Sequence, residues 1–370
     1  LEVSVMGDWD QKDSIKPRAT YILSRGSYDA PTDQLVKPTA LESIMPFDTT
    51  KYQRNRLGLA QWTTDTQNPL TARVFVNFIW QELFGRGIVN TSADYGLQGE
   101  LPTHPKLLDW LAVDFMEHHW DIKYLIKKIV MSSTFKQSAK LNSEQLTLDP
   151  DNIYYSRSPR IRFKAEIIRD FILSSSGLLN SEIGGPSVKP YQPKGVWESS
   201  TSGRGVLASY TQDHGKNIYR RGLYTFIKLT SPPPSMMIFD ASNRDQCEAK
   251  RSNTNTPLQA LNMLNDPTVL EASRVLAENI SLNSQKLSDK IEQAFERILI
   301  RKPTQKEKNR LVNYCNQRIQ LLKYKPLEVR DALAIGEYHH PTEKYDEIEA
   351  AALMNTILVM YNLEETITKS

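Results

Sequence analysis

The sequence predicts a mainly α chain with several helices, a few short β-strands and a long loop-rich middle segment. Three observations carry this. Apolar residues recur at spacings of three and four in most of residues 68–180 and 256–361. Helix-start signals stand where those stripes begin: Thr103-His104-Pro105, Thr256-Pro257, Asp266-Pro267 and Thr304-Gln305-Lys306-Glu307. Strand-like runs are few, and residues 180–222 are dense in glycine and proline.

Taken in order, residues 1–55 read as irregular or β-containing. Tyr21-Ile22-Leu23 is a strand candidate, and prolines at 31, 38 and 46 keep the chain extended and turning. Ala72, Val76, Ile79 and Leu83 make the first helical stripe, stopped by Gly85 and Gly87. Thr103 is the expected N-cap of a second helix with stripe Leu107, Leu108, Leu111, Phe115. Ile122, Leu125, Ile126 and Ile129 mark a third, and Ile161, Ala165, Ile168 and Ile172 a fourth that ends near Gly177.

Leu223–Leu229 alternates like a strand, and Pro232-Pro233-Pro234 after it suits polyproline II. Thr256, with Pro257 at the first helical position, opens the next helix. Then follow Val269, Ala272, Leu276, Ile280; Leu287, Ile291, Phe295, Ile298; the helix holding Cys315; and a last helix over about Asp346–Tyr361. The organisation expected is 1–55, a helical subdomain 56–180, a loop-rich insertion 181–255, and a helical subdomain 256–370 packed with 56–180 as one unit.

Composition bounds the chemistry. The chain has 370 residues, with 46 Lys+Arg against 43 Asp+Glu, a formal charge of +3. That balance excludes a dedicated nucleic-acid binder, which needs a clustered basic excess. Hydrophobic residues at 39% exclude a disordered chain. No apolar run reaches the roughly 18 residues a membrane-spanning helix needs. Two cysteines exclude a disulfide framework; Cys315 sits at helical spacing with Leu311, Ile319 and Leu322 and reads as a buried hydrophobe, whereas Cys247 lies in a charged stretch and is the more reactive thiol.

Four constellations carry chemistry. Arg73, Asn77 and Trp80 share a helical face at i, i+4, i+7; they suit an anion- or sugar-contacting surface with Trp80 as stacking platform, or a structural arginine holding loop carbonyls. His104, expected in a helix's first turn, is favoured neutral by the macrodipole and so suited to act as base or ligand, or to bond a loop. Arg160, Arg162, Lys164, Glu166, Arg169 and Asp170 crowd one helix start, either as an acid–base carboxylate pair or as an ion-pair network. The densest is 240–255, with Asp240, Asn243, Arg244, Cys247, Arg251, Asn253 and Asn255 placed before a capped helix whose backbone N–H groups suit an anion.

Trp197, with Tyr191, offers flat faces for a sugar beside Gly184-Gly185. His118-His119 and His339-His340 are adjacent pairs that do not face one another on a helix, Asp213-His214-Gly215 holds a lone histidine, and no metal site is expected. Haem-attachment, P-loop, nucleophile-elbow and dinucleotide motifs do not occur.

Together the stretches carry a resemblance. Asn68-Pro-Leu-Thr-Ala-Arg-Val-Phe-Val-Asn-Phe-Ile-Trp80 is followed by Phe84-Gly-Arg-Gly87, Asp94-Tyr-Gly-Leu-Gln-Gly99 and His104-Pro-Lys-Leu-Leu-Asp-Trp110. Then come Arg162-Phe-Lys-Ala-Glu-Ile-Ile-Arg-Asp170, Gly184-Gly-Pro-Ser187, Arg220-Arg-Gly-Leu-Tyr-Thr-Phe226, Phe239-Asp240 and Arg251-Ser-Asn-Thr-Asn-Thr-Pro-Leu-Gln-Ala-Leu261. This resembles the planctomycete-type PSD domain family, a surface or secreted domain of unknown function, from about residue 20 to the C-terminus.

The resemblance implies the C-terminal part of a longer exported protein, periplasmic or on the surface of a Gram-negative-type bacterium, which fits a start at Leu1 without methionine or signal sequence. It implies an accessory or scaffold role in an envelope assembly, with other envelope proteins as partners and a link to cytochromes or polysaccharide uptake. No cofactor is expected in this chain, and a haem would belong to an upstream domain or a partner. The family brings no catalytic residues. The rival expectation, from the aromatic and glycine-rich middle, is a hydrolase on polysaccharide or a carbohydrate-binding module.

Overall fold

A computed structural model describes residues 19–200, 205, 207–242, 244–282, 286–339 and 345–369. Asn243 and His340, singled out above, lie outside the described residues. Fifteen α-helices and four short strands make the described part mainly α, as expected. The chain divides into two units, Leu1–Ser158 and Pro159–Ser370. The stretch 56–180 spans that division, and 181–255 falls within the same unit as 256–370.

The first unit opens with an antiparallel hairpin of β1 (Thr20–Leu23) and β2 (Pro31–Val36). Helices α1 (Arg56–Thr63), α2 (Thr71–Phe84), α3 (Pro105–Glu117), α4 (Ile122–Val130) and α5 (Ser143–Leu148) follow. Asn55 caps α1 by accepting from the Gly58 N–H at 2.9 Å, and left-handed Gly85 ends α2. The stripes read from sequence meet here: Val76, Ile79 and Phe84 of α2, Leu108, Leu111 and Phe115 of α3, and Leu125 and Ile129 of α4 form one core. Trp62, Met45 and Tyr52 form a smaller one, and Trp62 Nε1 donates to the Met45 carbonyl at 3.0 Å.

The second unit begins with β3 (Ile161–Arg162), α6 (Ala165–Ser176), α7 (Val196–Ser199) and α8 (Pro234–Ile238). It continues through α9 (Pro257–Asn265), α10 (Pro267–Ser281), α11 (Leu287–Leu299), α12 (Gln305–Leu322), α13 (Pro326–Leu333), α14 (Glu347–Tyr361) and α15 (Glu364–Ile367) to β4 (Thr368–Lys369). Helix α14 is apolar around nearly its whole circumference, so it must be surrounded. It packs on α9 to α13, and the alanines Ala351, Ala352 and Ala272 are buried in that core. Apolar as it is, no helix among the described residues is long and apolar enough to cross a membrane.

Four expectations are corrected. Leu223–Leu229 is not a strand: a 3-10 turn spans Gly222–Tyr224, and Thr225 makes a single bridge to Val188. The reason is that the turn takes the backbone donors: the Tyr224 N–H donates to the Arg221 carbonyl at 2.9 Å and the Thr225 N–H to the Gly222 carbonyl at 3.1 Å, which leaves the Tyr224 carbonyl and Phe226 N–H to Val188. Second, Ile161 belongs to β3, which pairs with β4 over two hundred residues away, and α6 starts only at Ala165 after an extended Lys164. Third, His104 rather than Thr103 is the N-cap of α3, because Pro105 takes the first helical position. Fourth, Pro234 opens α8, so the extended proline run stops at Pro233. Helices α1, α5 and α13 have stripes too short to stand out from sequence.

Thr304 and Glu307 form the expected capping box. Arg301 binds both Glu307 and Glu365, tying the end of α11 to α12 and α15. The Arg301 guanidinium, followed by Thr304, holds the Glu307 carboxyl at about 2, against 4.5 for the free group. A depressed carboxylate contributes stability above its unfolded value and loses it as pH falls toward its folded one. Wild type is therefore expected to exceed Glu307→Gln in stability above about pH 4.5, with the gap closing as pH falls toward 2. Urea midpoints of both proteins across pH 2–7 check this; a gap constant with pH would refute it.

Candidate functional site

In the first unit the three residues on one face of α2 are committed internally. Arg73 Nε donates to Asp109 at 2.7 Å, and its Nη1 donates to the Pro69 carbonyl. Asn77 is fully buried. Its Nδ2 donates to the Val89 carbonyl at 3.0 Å and the Tyr95 hydroxyl at 2.7 Å, and its Oδ1 accepts from the Val89 N–H at 2.8 Å. The amide thus replaces a missing strand partner for Val89. A Cβ on Gly87 would come within 2.7 Å of that amide, so only glycine lets the loop approach.

Trp80 is 5% exposed, stacked on Phe84 at 4.3 Å and met edge-on by Tyr155. The expected stacking platform is therefore a core ring, with no face left for a sugar. His104 Nδ1 lies 2.9 Å from Thr103 Oγ1, and its ring leans on Tyr155. Asn77→Ala is expected to orphan both backbone groups of buried Val89, each worth about 1–3 kcal/mol. Chemical denaturation followed by fluorescence of the first unit's tryptophans measures that loss.

In the second unit Trp197 is also buried, 1% exposed. Its Nε1 donates to the Leu207 carbonyl at 2.9 Å, and the Lys228 ammonium lies 4.6 Å from its ring centroid. Tyr191 spends its hydroxyl on Glu271 at 2.9 Å. The ring faces expected for a glycan are thus occupied by protein at Trp197, and the Gly184 loop beside them is clamped. There Arg220 donates to the carbonyls of Pro186, Glu182 and Gly184, and its guanidinium sits 3.8 Å over the Tyr224 ring.

The third and fourth constellations come together. Glu166 pairs with Arg251, 85 residues away, at 2.8 and 3.1 Å, and not with Arg162 on its own segment. Burial works to raise Glu166, but Arg251 outweighs it and holds the carboxyl below its usual range. Arg162 reaches the Thr254 carbonyl at 2.7 Å and also the Gln259 side chain. Asp240, left-handed at φ 58°, accepts from the Thr254 N–H and hydroxyl at 2.8 and 2.9 Å. Buried Gln259 donates to the Ile238 carbonyl at 2.9 Å and closes a capping box with Thr256. The α9 start is therefore filled by the chain's own side chains.

The loop's outer residues are left to solvent. Arg244, Cys247, Ser252, Asn253 and Asn255 are exposed. Beside them α9 exposes Leu258, Leu261 and Leu264. Asp170 takes Arg221 at 3.4 Å, so neither carboxylate of the expected acid–base pair is free of arginine. A water-sized cavity of about 40 Å³ lies close by, lined by Arg169, Ile172, Met236, Phe239, Met263 and Asp266.

Sequence reasoning missed the most deeply buried charges. Glu271, Arg274 and Glu278 on α10 are 0%, 1% and 1% exposed. Arg274 Nη1 binds Glu278 at 2.7 Å, its Nε donates to the Ile335 carbonyl at 2.8 Å, and its Nη2 donates to the Tyr338 carbonyl. Glu271 accepts from Tyr219 and Tyr191 hydroxyls at 2.7 and 2.9 Å and from the N–H groups of Glu337 and Tyr338 at 2.7 and 2.8 Å. Burial, then the Glu271 charge, push both phenols well up. The available signal was charge at i, i+3 and i+7 inside an apolar helix pattern.

This network anchors a second pair. Glu337 accepts from His214 Nδ1 at 2.7 Å, Gln212 Nε2 at 2.9 Å and the Gly215 N–H at 3.1 Å. Sequence showed His214 alone; the fold supplies its carboxylate from 123 residues away. Cys315 is buried, as its spacing implied, and burial raises its thiol. Among the described residues, no group of three His, Cys, Asp or Glu is placed to hold a metal ion.

Comparison with known proteins agrees with the motif order. A family model described as PSD1, protein of unknown function (DUF1553), matches residues 55–315. No curated protein and no solved structure matches the chain.

Proposed function

The chain belongs to the PSD1 family, and from that premise we propose that it is an exported accessory or scaffold domain of a bacterial cell-envelope assembly. One observation supports a binding role most directly. The 240–256 loop is fastened at Asp240, Arg251 and Thr254, while Asn253 and Asn255 present free-facing amides beside exposed Leu258 and Leu261. Ordering costs are met before any partner arrives, and a mixed amide and leucine surface suits another protein. Any haem or glycan chemistry would then reside in the partner or in another part of the same protein.

The native chain, immobilised and exposed to solubilised envelope, is expected to retain a defined partner. Leu261→Glu, at an exposed position, is expected to release it while the far-UV circular dichroism stays that of wild type. Equal retention by both proteins, or none by either, counts against this face.

A second reading rests on the His214–Glu337 pair. A carboxylate on Nδ1 orients an imidazole and leaves Nε2 to take a proton, as a hydrolytic general base does. A polysaccharide hydrolysis screen on wild type and His214→Ala decides it: turnover lost in the variant favours a hydrolase, and no turnover in wild type removes that reading.

A further inference from the structure

We draw no further inference here: the strongest candidate, the water-sized cavity between α6, α8, α9 and α10 beside Arg169, is walled mainly by Ile168, Ile172, Met236, Phe239 and Met263 and already has the Asp266 carboxylate near its arginine, so nothing in the structure shows what ligand would fill it.

Discussion

Arg274→Met is expected to destabilise the second unit by about 3–5 kcal/mol, the cost of removing one member of a buried ion pair. The substitution keeps the side chain's length and most of its volume, so the loss is electrostatic more than steric. Glu278 would lose its guanidinium partner while keeping the Tyr345 hydroxyl at 2.9 Å, and the Ile335 and Tyr338 carbonyls would lose the Arg274 donor. Urea unfolding monitored by far-UV circular dichroism, with hydrogen exchange on α10, reads this out. The companion variant Glu271→Gln/Arg274→Met/Glu278→Gln is expected to recover part of the loss, because it leaves no bare charge in the interior. A midpoint for Arg274→Met within about 0.5 kcal/mol of wild type would show that water reaches these carboxylates.

Gly336→Ala is the second large effect. Gly336 holds φ 87°, which costs an L residue about 1–2 kcal/mol. An added Cβ would also overlap the Glu271 carboxylate, and overpacking costs about 1–3 kcal/mol more. Together they amount to about 2–5 kcal/mol. The damage has a local signature. The Glu337 and Tyr338 N–H groups donate to Glu271 at 2.7 and 2.8 Å, so their exchange should accelerate before α10 itself opens. The His214–Glu337 pair hangs from the same segment and should loosen with it. Unchanged protection at both amides would mean that this turn yields without disturbing the network.

These two residues show where a sequence stops being readable. Arg274 lies among Val269, Ala272, Leu276 and Ile280, whose spacing announces a helix with one buried stripe. Pattern reading assigns the intervening charges to solvent, because charges are buried only when paired. Helix α10 is instead packed by α6, α9, α11 and α14, and its charges are paired with residues 335–338. Nothing local to 267–281 states that.

The polar loop was legible as a density of functional groups at 240–255, and Thr256-Pro257 was legible as a helix start. What its residues do was not. Glu166 belongs by sequence to an i, i+4 ladder with Arg162, yet β3 removes Arg162 from the helix and Arg251 takes its place. Trp80 and Trp197 suggested ring platforms because an aromatic beside polar residues reads the same way whether buried or exposed. Burial is a property of the assembled unit, and both rings lie inside.

The chain's own order of residues thus determined its mainly α character, most helix starts and its place in the PSD1 family, because periodicity, caps and motifs are short-range properties. Tertiary structure alone decided which carboxylate meets which arginine, that His214 has Glu337 and that α10 holds a buried charged network. Each of those depends on groups far apart in sequence, whose burial and pairing exist only once the helices have packed.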